Sequence, residues 1–138
     1  MTTSLDTSVL VALYAKDAHT PTARALLLRV GPVVVSDWAV VEFSAAIRLK
    51  ARQGVVSATL LDDLEAGFDE WLEQLGARRP VLSEDHLTAR ALVRRHYGLR
   101  APDALHIAVA SRLGVALATF DTRQAEAARR EGLATVEQ

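Results

Sequence analysis

Four acidic residues stand where they could share one catalytic site: Asp6, Glu42, Asp103 and Asp121. Carboxylates that are brought together repel one another by roughly a few kcal/mol per close pair at intermediate dielectric, so such a cluster needs protons or a cation. Because the ligands would all be oxygen atoms, the favoured cation is Mg²⁺ or Mn²⁺. An ion of this kind retains coordinated water molecules, lowers their pKa and coordinates phosphate oxygens. The four acids together therefore favour hydrolysis of a phosphodiester bond.

Each acid taken alone also has a structural explanation. Asp6 and Asp121 each follow a short apolar segment and could cap the helix that comes next. Asp103 could simply interact with the dipole of the helix that it opens. Glu42 shares a helix side with an apolar stripe, where an unpaired carboxylate is costly: Trp38, Ala45, Ala46 and Leu49. A buried arginine partner would be the structural explanation there.

Three polar neighbours of these acids are further candidates. Ser8 and Thr119 lie close to Asp6 and Asp121 along the chain and could hold a metal-bound water, although capping and strand propensity also explain them. His106 follows Asp103 by three residues, so the two could face the same way on a helix. Because no second histidine stands at ligand spacing, we interpret His106 as a hydrogen-bonded helix residue rather than a metal ligand.

Short apolar strands and amphipathic helices must alternate to position these side chains. Strands are predicted at residues 3–6, 31–36, 78–82, 115–120 and 133–137. Helices are predicted at residues 8–15, 21–30, 37–52, 58–75, 84–97, 102–113 and 121–131, with N-caps at Thr20, Ser57 and Ser83. This alternation predicts an α/β fold whose central, mostly parallel sheet has helices on both faces. Because the carboxyl ends of parallel strands lie at one edge of the sheet, Asp6 and Asp121 should lie at the same edge, outside which ligands bind in such folds.

The bulk composition narrows the function classes. The chain has 138 residues, of which 50% are hydrophobic, and fits one domain over residues 1–138. Its formal net charge of −1 gives no overall basic signal for nucleic acid, so such binding must come from a local patch or a metal. The absence of cysteine excludes disulfides and thiolate chemistry. The first residues have no basic region and no apolar run could span a bilayer, so we expect a cytoplasmic protein.

Two surfaces are candidates for contacts with partners. Arginines concentrate in residues 78–100, where they form either a contact for RNA phosphate or a solvated helix face: Arg78, Arg79, Arg90, Arg94, Arg95 and Arg100. The helix that carries Glu42 is also apolar on its other side, through Val40, Phe43, Ile47 and Ala51. A helix that is apolar on two sides is either deeply buried or covered by a partner, and in so small a domain we expect a partner, either a helix of another protein or a second subunit.

In order and spacing, four segments resemble the PIN-domain family, and more narrowly the VapC ribonuclease toxins of toxin–antitoxin pairs. The segments are "LDTSVLVAL", the glutamate of "SDWAVVEFSAA", "APDALHIAVA" and "TFDTRQAEAARREG", and they span essentially the whole chain. The resemblance implies a three-layer α/β/α sandwich around a parallel sheet of about five strands, in agreement with the alternation above. One departure is the first strand, "TSLD", which is less apolar than is usual in the family and makes the placement of Asp6 a point to check.

The same resemblance implies an activity, site roles and partners. The activity would be a Mg²⁺- or Mn²⁺-dependent endoribonuclease, in which a metal-activated water hydrolyses RNA and leaves a 5′-phosphate. Asp6 and Asp103 match the principal metal ligands, and Glu42 and Asp121 complete the acidic quartet directly or through water. Toxins of this family are usually homodimers, and a cognate antitoxin binds over the active-site groove.

Other function classes are weighed from the residues. A phosphatase or phosphotransferase with a strand-end aspartate nucleophile usually has a second acid two residues later, but Ser8 stands there. A phospho-acceptor receiver domain needs a lysine near the last strands, and the only lysines are Lys16 and Lys50. The alternative that remains beside the ribonuclease is a catalytically silent PIN-like domain that binds a partner.

Overall fold

Strands and helices alternate along the chain in the computed structural model, which describes residues 1–137. The strands are β1 (Thr3–Leu5), β2 (Val33–Ser36), β3 (Arg78–Arg79) and β4 (Ala116–Ala118). The helices are α1 (Thr7–Tyr14), α2 (Thr20–Arg29), α3 (Asp37–Arg52), α4 (Leu61–Leu75), α5 (Ser83–Arg95), α6 (Ala101–Leu113) and α7 (Thr122–Arg130). The predicted α/β class is confirmed.

The sheet is parallel throughout, in the order β3-β2-β1-β4. Four strands rather than five are formed within residues 1–137. The predicted last strand contributes one parallel bridge, in which Thr135 lies beside Leu117 of β4. The backbone hydrogen bonds around it, Leu117 N to Ala134 O and Val136 N to Leu117 O, are both 2.9 Å long. β3 is shorter than predicted because Pro80 follows it and has no N–H to continue the ladder.

Two apolar clusters lie on opposite faces of this sheet. One contains buried residues of α1, α2, α3 and α4, and the other contains buried residues of α5, α6 and α7. Leu117 belongs to the second cluster and Ala118 to the first. Since successive strand residues point to opposite faces, the sheet separates the clusters and the three-layer arrangement follows. No helix within residues 1–137 has both the length and the apolar character needed to cross a membrane.

The second apolar side of α3 is covered by the chain itself. Phe43 and Ile47 are fully buried, and the Phe43 ring lies 4.0 Å, centroid to centroid, from the ring of Phe68 on α4. The expectation that another protein or a second subunit covers this side is therefore wrong. The physical reason is that α3 packs against α1 and also against α4, so that it has two intramolecular neighbours.

Three residues predicted to be N-caps do not cap the predicted helices in the structure. Thr20 is the first residue of α2, and its hydroxyl donates to the Ala12 carbonyl at 2.7 Å. Ser57 makes no cap hydrogen bond, because a 3₁₀ turn, Ala58–Leu60, comes before α4. Ser83 is likewise inside α5, where the Asp85 carboxylate accepts the hydrogen bond from the Leu82 N–H at 2.8 Å.

Asp85 also joins α5 to α6 through a buried ion pair. Its carboxylate is 1% exposed and accepts two hydrogen bonds from the Arg112 guanidinium, at 2.8 and 2.9 Å. Burial acts to raise the pKa of Asp85, but the hydrogen bonds from Arg112 and Leu82 and the charge of Arg112 outweigh it, so the pKa is lowered. A lowered pKa means that folding favours the ionised carboxylate.

We expect Asp85→Asn to lower the free energy of unfolding by about 2 kcal/mol near neutral pH, since Arg112 loses its charged partner. A carboxyl group whose pKa is lowered by folding stabilises the protein at pH values above its unfolded-state pKa. That stabilisation is lost as the pH falls through its folded-state pKa. The deficit of the variant should therefore shrink as the pH falls below about 4. Urea unfolding across this pH range measures it.

Glu84→Gln is the matched control for this prediction, because Glu84 is exposed in the same first turn of α5. It should change the free energy of unfolding by less than about 0.5 kcal/mol. A deficit of Asp85→Asn that stayed the same in acid and at neutral pH would contradict the ion-pair explanation.

Candidate functional site

The carboxyl ends of β1 and β4 meet at one edge of the sheet. Leu5 pairs with Ala118, so Asp6 and Thr119 leave the sheet side by side, and the Asp6 N–H donates to the Ala118 carbonyl at 2.9 Å. Asp6 caps α1 and is 5% exposed. The short first strand therefore places Asp6 firmly, despite its limited apolar content, because Thr3, Ser4 and Leu5 are all buried.

The Asp6 carboxylate is held by hydrogen bonds on both oxygens. Its Oδ2 accepts from the Ser8 N–H at 3.2 Å, from the Ser8 hydroxyl at 2.7 Å and from the Thr119 hydroxyl at 3.0 Å. Its Oδ1 faces Nε2 of His106 at 3.1 Å and the side-chain amide of Gln124 at 3.5 Å. Ser8 and Thr119 thus contact Asp6 directly and fix its orientation.

His106 connects Asp6 to Glu42. Its Nε2 lies 2.5 Å from Oε1 of Glu42, which also accepts a hydrogen bond from the Thr7 hydroxyl at 2.8 Å. The imidazole is 2% exposed, whereas the Glu42 side chain is 24% exposed. His106 is therefore a hydrogen-bonded helix residue, as interpreted from the sequence, and it is the partner of Glu42 in place of the arginine considered there.

The charges around His106 favour its protonated form. Burial acts to lower the pKa of His106, but the hydrogen bond to Glu42 and the charges of Asp6, Glu42 and Asp103 outweigh burial, so its pKa is raised. The surrounding carboxylates thus favour protonation of the His106 imidazole more than solvent does.

The Arg100 guanidinium places a positive charge between Asp103 and Asp121. Its Nε donates to Oδ2 of Asp103 at 2.9 Å, and one terminal nitrogen lies 3.7 Å from Oδ2 of Asp121. The other Asp121 oxygen caps α7 by accepting from the Gln124 N–H at 3.1 Å. The Arg100 side chain is 71% exposed, so these contacts lie at the solvent side of the site.

The four acids form one electrostatic cluster. The Asp103 hydrogen bond and the charges of Asp103, Asp121 and Glu42 raise the pKa of Arg100. The charges of Asp6, Glu42 and Asp103 act in the same direction on the pKa of His106. Burial, together with the charges of Asp121 and Asp6, raises the pKa of Asp103 despite the opposing contact with Arg100. Arg100 and His106 both interact with Glu42 and Asp103, so the four acids belong to one site.

Thr7, Arg100 and Gln124 also contact the acids. Gln124 is fully buried on α7 and donates to the Asp103 carbonyl at 3.1 Å as well as facing Asp6. Its Oε1 atom has no hydrogen-bond partner among residues 1–137. Sequence reasoning did not single out Thr7, Arg100 or Gln124 for the site. The available signals were local: Arg100 precedes Asp103 by three residues, and Gln124 follows the cap Asp121 by three.

The donor set suits a hard divalent cation, because four carboxylates converge and no sulfur is present. In the conformation described for residues 1–137, no three histidine or acidic side chains are arranged to hold one metal ion. The side chains of His106 and Arg100 lie against these carboxylate oxygens instead. Movement of the exposed Arg100 would release oxygens of Asp103 and Asp121.

A cleft of about 470 Å³ opens beside these acids. Its walls are formed by the connection before α6 and by the first turn of α7, with Arg100, Asp103 and Asp121 on its surface. An extended ligand can therefore reach the acidic cluster from solvent.

Comparison with known proteins adds independent findings. A model of the PIN domain family matches residues 4–130. A search of curated protein sequences found no match.

Several solved structures are similar to the chain in fold. FitAcB from Neisseria gonorrhoeae is 20% identical with a TM-score of 0.74, and the alignment covers 98% of this chain and 96% of that one. VapC20 from Mycobacterium tuberculosis, described as a sarcin-ricin loop cleaving toxin, is 23% identical with a TM-score of 0.71, covering 91% and 94%. VapBC2 from Rickettsia felis, bound to a DNA fragment from its promoter, is 14% identical with a TM-score of 0.70, covering 100% and 99%.

Proposed function

The chain belongs to the PIN domain family, and on that premise we propose that it is a Mg²⁺- or Mn²⁺-dependent endoribonuclease, the toxin of a VapBC-type pair. The observation that carries the proposal is the acidic quartet at the carboxyl edge of the sheet, where the Arg100 guanidinium and the His106 imidazole lie between the carboxylates. A cluster that attracts internal cations is suited to an external divalent one. The fold shared with VapC20 supports the same assignment.

Each residue has a role in this proposal. Asp6 and Asp103 are the principal ligands, and Glu42 and Asp121 complete the site directly or through water. Ser8 and Thr119 hold the Asp6 carboxylate in place, and the unpaired Oε1 of Gln124 provides a buried acceptor at the same site. The bound Mg²⁺ or Mn²⁺ supplies Lewis acidity toward a phosphoryl oxygen and lowers the pKa of a water. In the hydrolysis, water oxygen bonds to phosphorus and the bond from phosphorus to the 3′ oxygen breaks, which leaves a 5′-phosphate.

Partners follow from the same proposal. A cognate antitoxin is proposed to bind over the cleft beside Asp103 and Asp121, and the toxin is proposed to form a homodimer. The support is the fold shared with proteins solved as toxin–antitoxin assemblies, including a complex from Klebsiella pneumoniae that is 18% identical with a TM-score of 0.64. Light scattering of the purified chain, alone and with the protein encoded beside it, tests both statements.

Titration of Mg²⁺ and Mn²⁺ into the wild type and Asp103→Asn, followed by calorimetry, tests the metal site. We expect the variant to bind metal at least about tenfold more weakly and to cut a mixed RNA pool at least about a hundredfold more slowly, because a principal ligand is lost. Asp62→Asn removes an exposed carboxylate on α4, away from the cleft, and is the control that should behave as the wild type.

Two outcomes contradict the proposal. If the wild type bound neither cation, Asp103 would be a helix-end charge and the chain would be a catalytically silent partner-binding domain. If the wild type bound metal but Asp103→Asn retained full affinity and full cleavage, the site assignment would be wrong.

A further inference from the structure

A second cleft adjoins the acidic one. It lies between the connection from α5 to α6 and the outer side of α7, and its volume is about 450 Å³. Both clefts are lined by Gly98, Leu99 and Arg123. The two clefts therefore adjoin at these residues, and together they are called the furrow, which extends from Asp103 and Asp121 along α7.

The far part of this furrow is basic, although the chain as a whole is not. It is lined by Arg95, Arg123 and Arg130, with Glu126 as the acid among its lining residues. Arg123 and Arg130 make no ion pair within residues 1–137, in contrast to Arg95, which pairs with Glu131 at 3.0 Å. Since they are seven residues apart, Arg123 and Arg130 lie on the same side of α7, about 10 Å apart along its axis.

Tyr97 stands at the edge of the same furrow with its side chain fully exposed. The left-handed backbone of Gly98, with φ of 87°, turns the chain directly after it. The Tyr97 ring stacks on no other aromatic ring of residues 1–137. An exposed ring beside unpaired arginines is the combination by which single-stranded nucleic acids are held, through base stacking and phosphate contacts.

The acidic quartet does not attract RNA by itself before a metal ion binds. Its carboxylates repel a phosphate backbone, and the net charge of −1 gives no general attraction. Of the arginines noted in residues 78–100, Arg78 and Arg79 are already engaged, and they lie on β3 at the opposite edge of the sheet from β4. The furrow along α7 is instead continuous with the acids.

We propose that this furrow binds single-stranded RNA, with Tyr97 stacking on a base and with Arg123 and Arg130 contacting phosphates. This inference rests on the ribonuclease function proposed above, and it names the surface that would bind the RNA strand next to the acids. Such contacts tolerate many sequences, because every base has a face to stack and every nucleotide has a phosphate.

Fluorescence anisotropy with a labelled single-stranded RNA of about 12 nucleotides tests the proposal, with EDTA present to prevent cleavage. Tyr97→Ala should weaken binding about tenfold. Arg123→Ala/Arg130→Ala should weaken it by at least as much and reduce the slope of log K against log salt by about 1.4, since each single-strand phosphate contact contributes about 0.7. Thermal melting should be unchanged, because the substituted side chains are exposed.

The controls are substitutions of the same kind elsewhere on the surface. Leu87→Ala removes another exposed apolar side chain, and Arg24→Ala/Arg52→Ala removes two exposed arginines from α2 and α3. Both controls should bind RNA within about twofold of the wild type, since scattered surface side chains contribute little.

Three outcomes would overturn the inference, and they separate it from the proposed function. If the wild type cuts RNA with Mg²⁺ while the furrow variants bind as tightly as it does, only the furrow assignment is wrong. If the wild type neither binds nor cuts RNA, both proposals are wrong. If the variants bind RNA normally but lose binding of polyglutamate, the furrow is a docking site for an acidic protein.

Discussion

Asp6→Asn is expected to reduce RNA cleavage at least about a thousandfold, with the protein still folded. A bound divalent cation contributes several kcal/mol of transition-state stabilisation, and each 1.4 kcal/mol or so is a factor of ten in rate. Asparagine has nearly the shape of aspartate but has no negative charge, and its amide would face hydrogen-bond donors on either side. Single-turnover cleavage of a labelled RNA with Mg²⁺ measures the loss.

The control for this prediction is Asp63→Asn, which removes an exposed carboxylate on α4. It should leave the cleavage rate within about twofold of the wild type, as expected of a surface substitution. Circular dichroism and RNA binding in EDTA show whether Asp6→Asn is folded. A folded Asp6→Asn protein that cuts RNA at the wild-type rate would remove Asp6 from the site.

His106→Leu is expected to lower the free energy of unfolding by about 2–4 kcal/mol. The substitution takes the shared donor from Asp6 and Glu42 and leaves two neighbouring carboxylates without the cation between them. Glu42 is partly exposed, which places the expected loss below that of a fully buried pair. Urea unfolding in EDTA measures it.

His106→Gln distinguishes the charge from the hydrogen bond, because glutamine retains an N–H donor without positive charge. It should recover part of the loss of His106→Leu. His86→Leu is the matched control, since His86 is exposed on α5, and its effect should stay below about 0.5 kcal/mol. A His106→Leu protein as stable as the wild type would mean that the two carboxylates do not depend on this imidazole.

Together the two variants separate the proposed activity from the stability of the site. Asp6→Asn acts on chemistry, while His106→Leu acts on the arrangement of the acids in the absence of metal. A protein in which both changes affected only stability would fit the silent, partner-binding alternative.

Local sequence patterns predicted most of the elements. The alternation of short strands and helices gave the parallel α/β arrangement, and α1, α3, α6 and α7 begin and end within a few residues of their predicted bounds. These features depend on propensity, capping and periodicity, which act over a few residues. The cap roles of Asp6 and Asp121 are confirmed for the same reason. The order of strands determined that both caps lie at one edge.

The residues that contact the four acids come from distant parts of the chain and depend on its long-range packing. Glu42 and His106 are 64 residues apart in the chain, and their contact depends on α3 and α6 meeting beside β1. The burial of Phe43 likewise depends on α4 packing against α3, because periodicity identifies an apolar side of a helix but does not identify what covers it. Residue types and local elements can be predicted from the order of amino acids alone. Which distant side chains neutralise the carboxylates was determined by long-range packing.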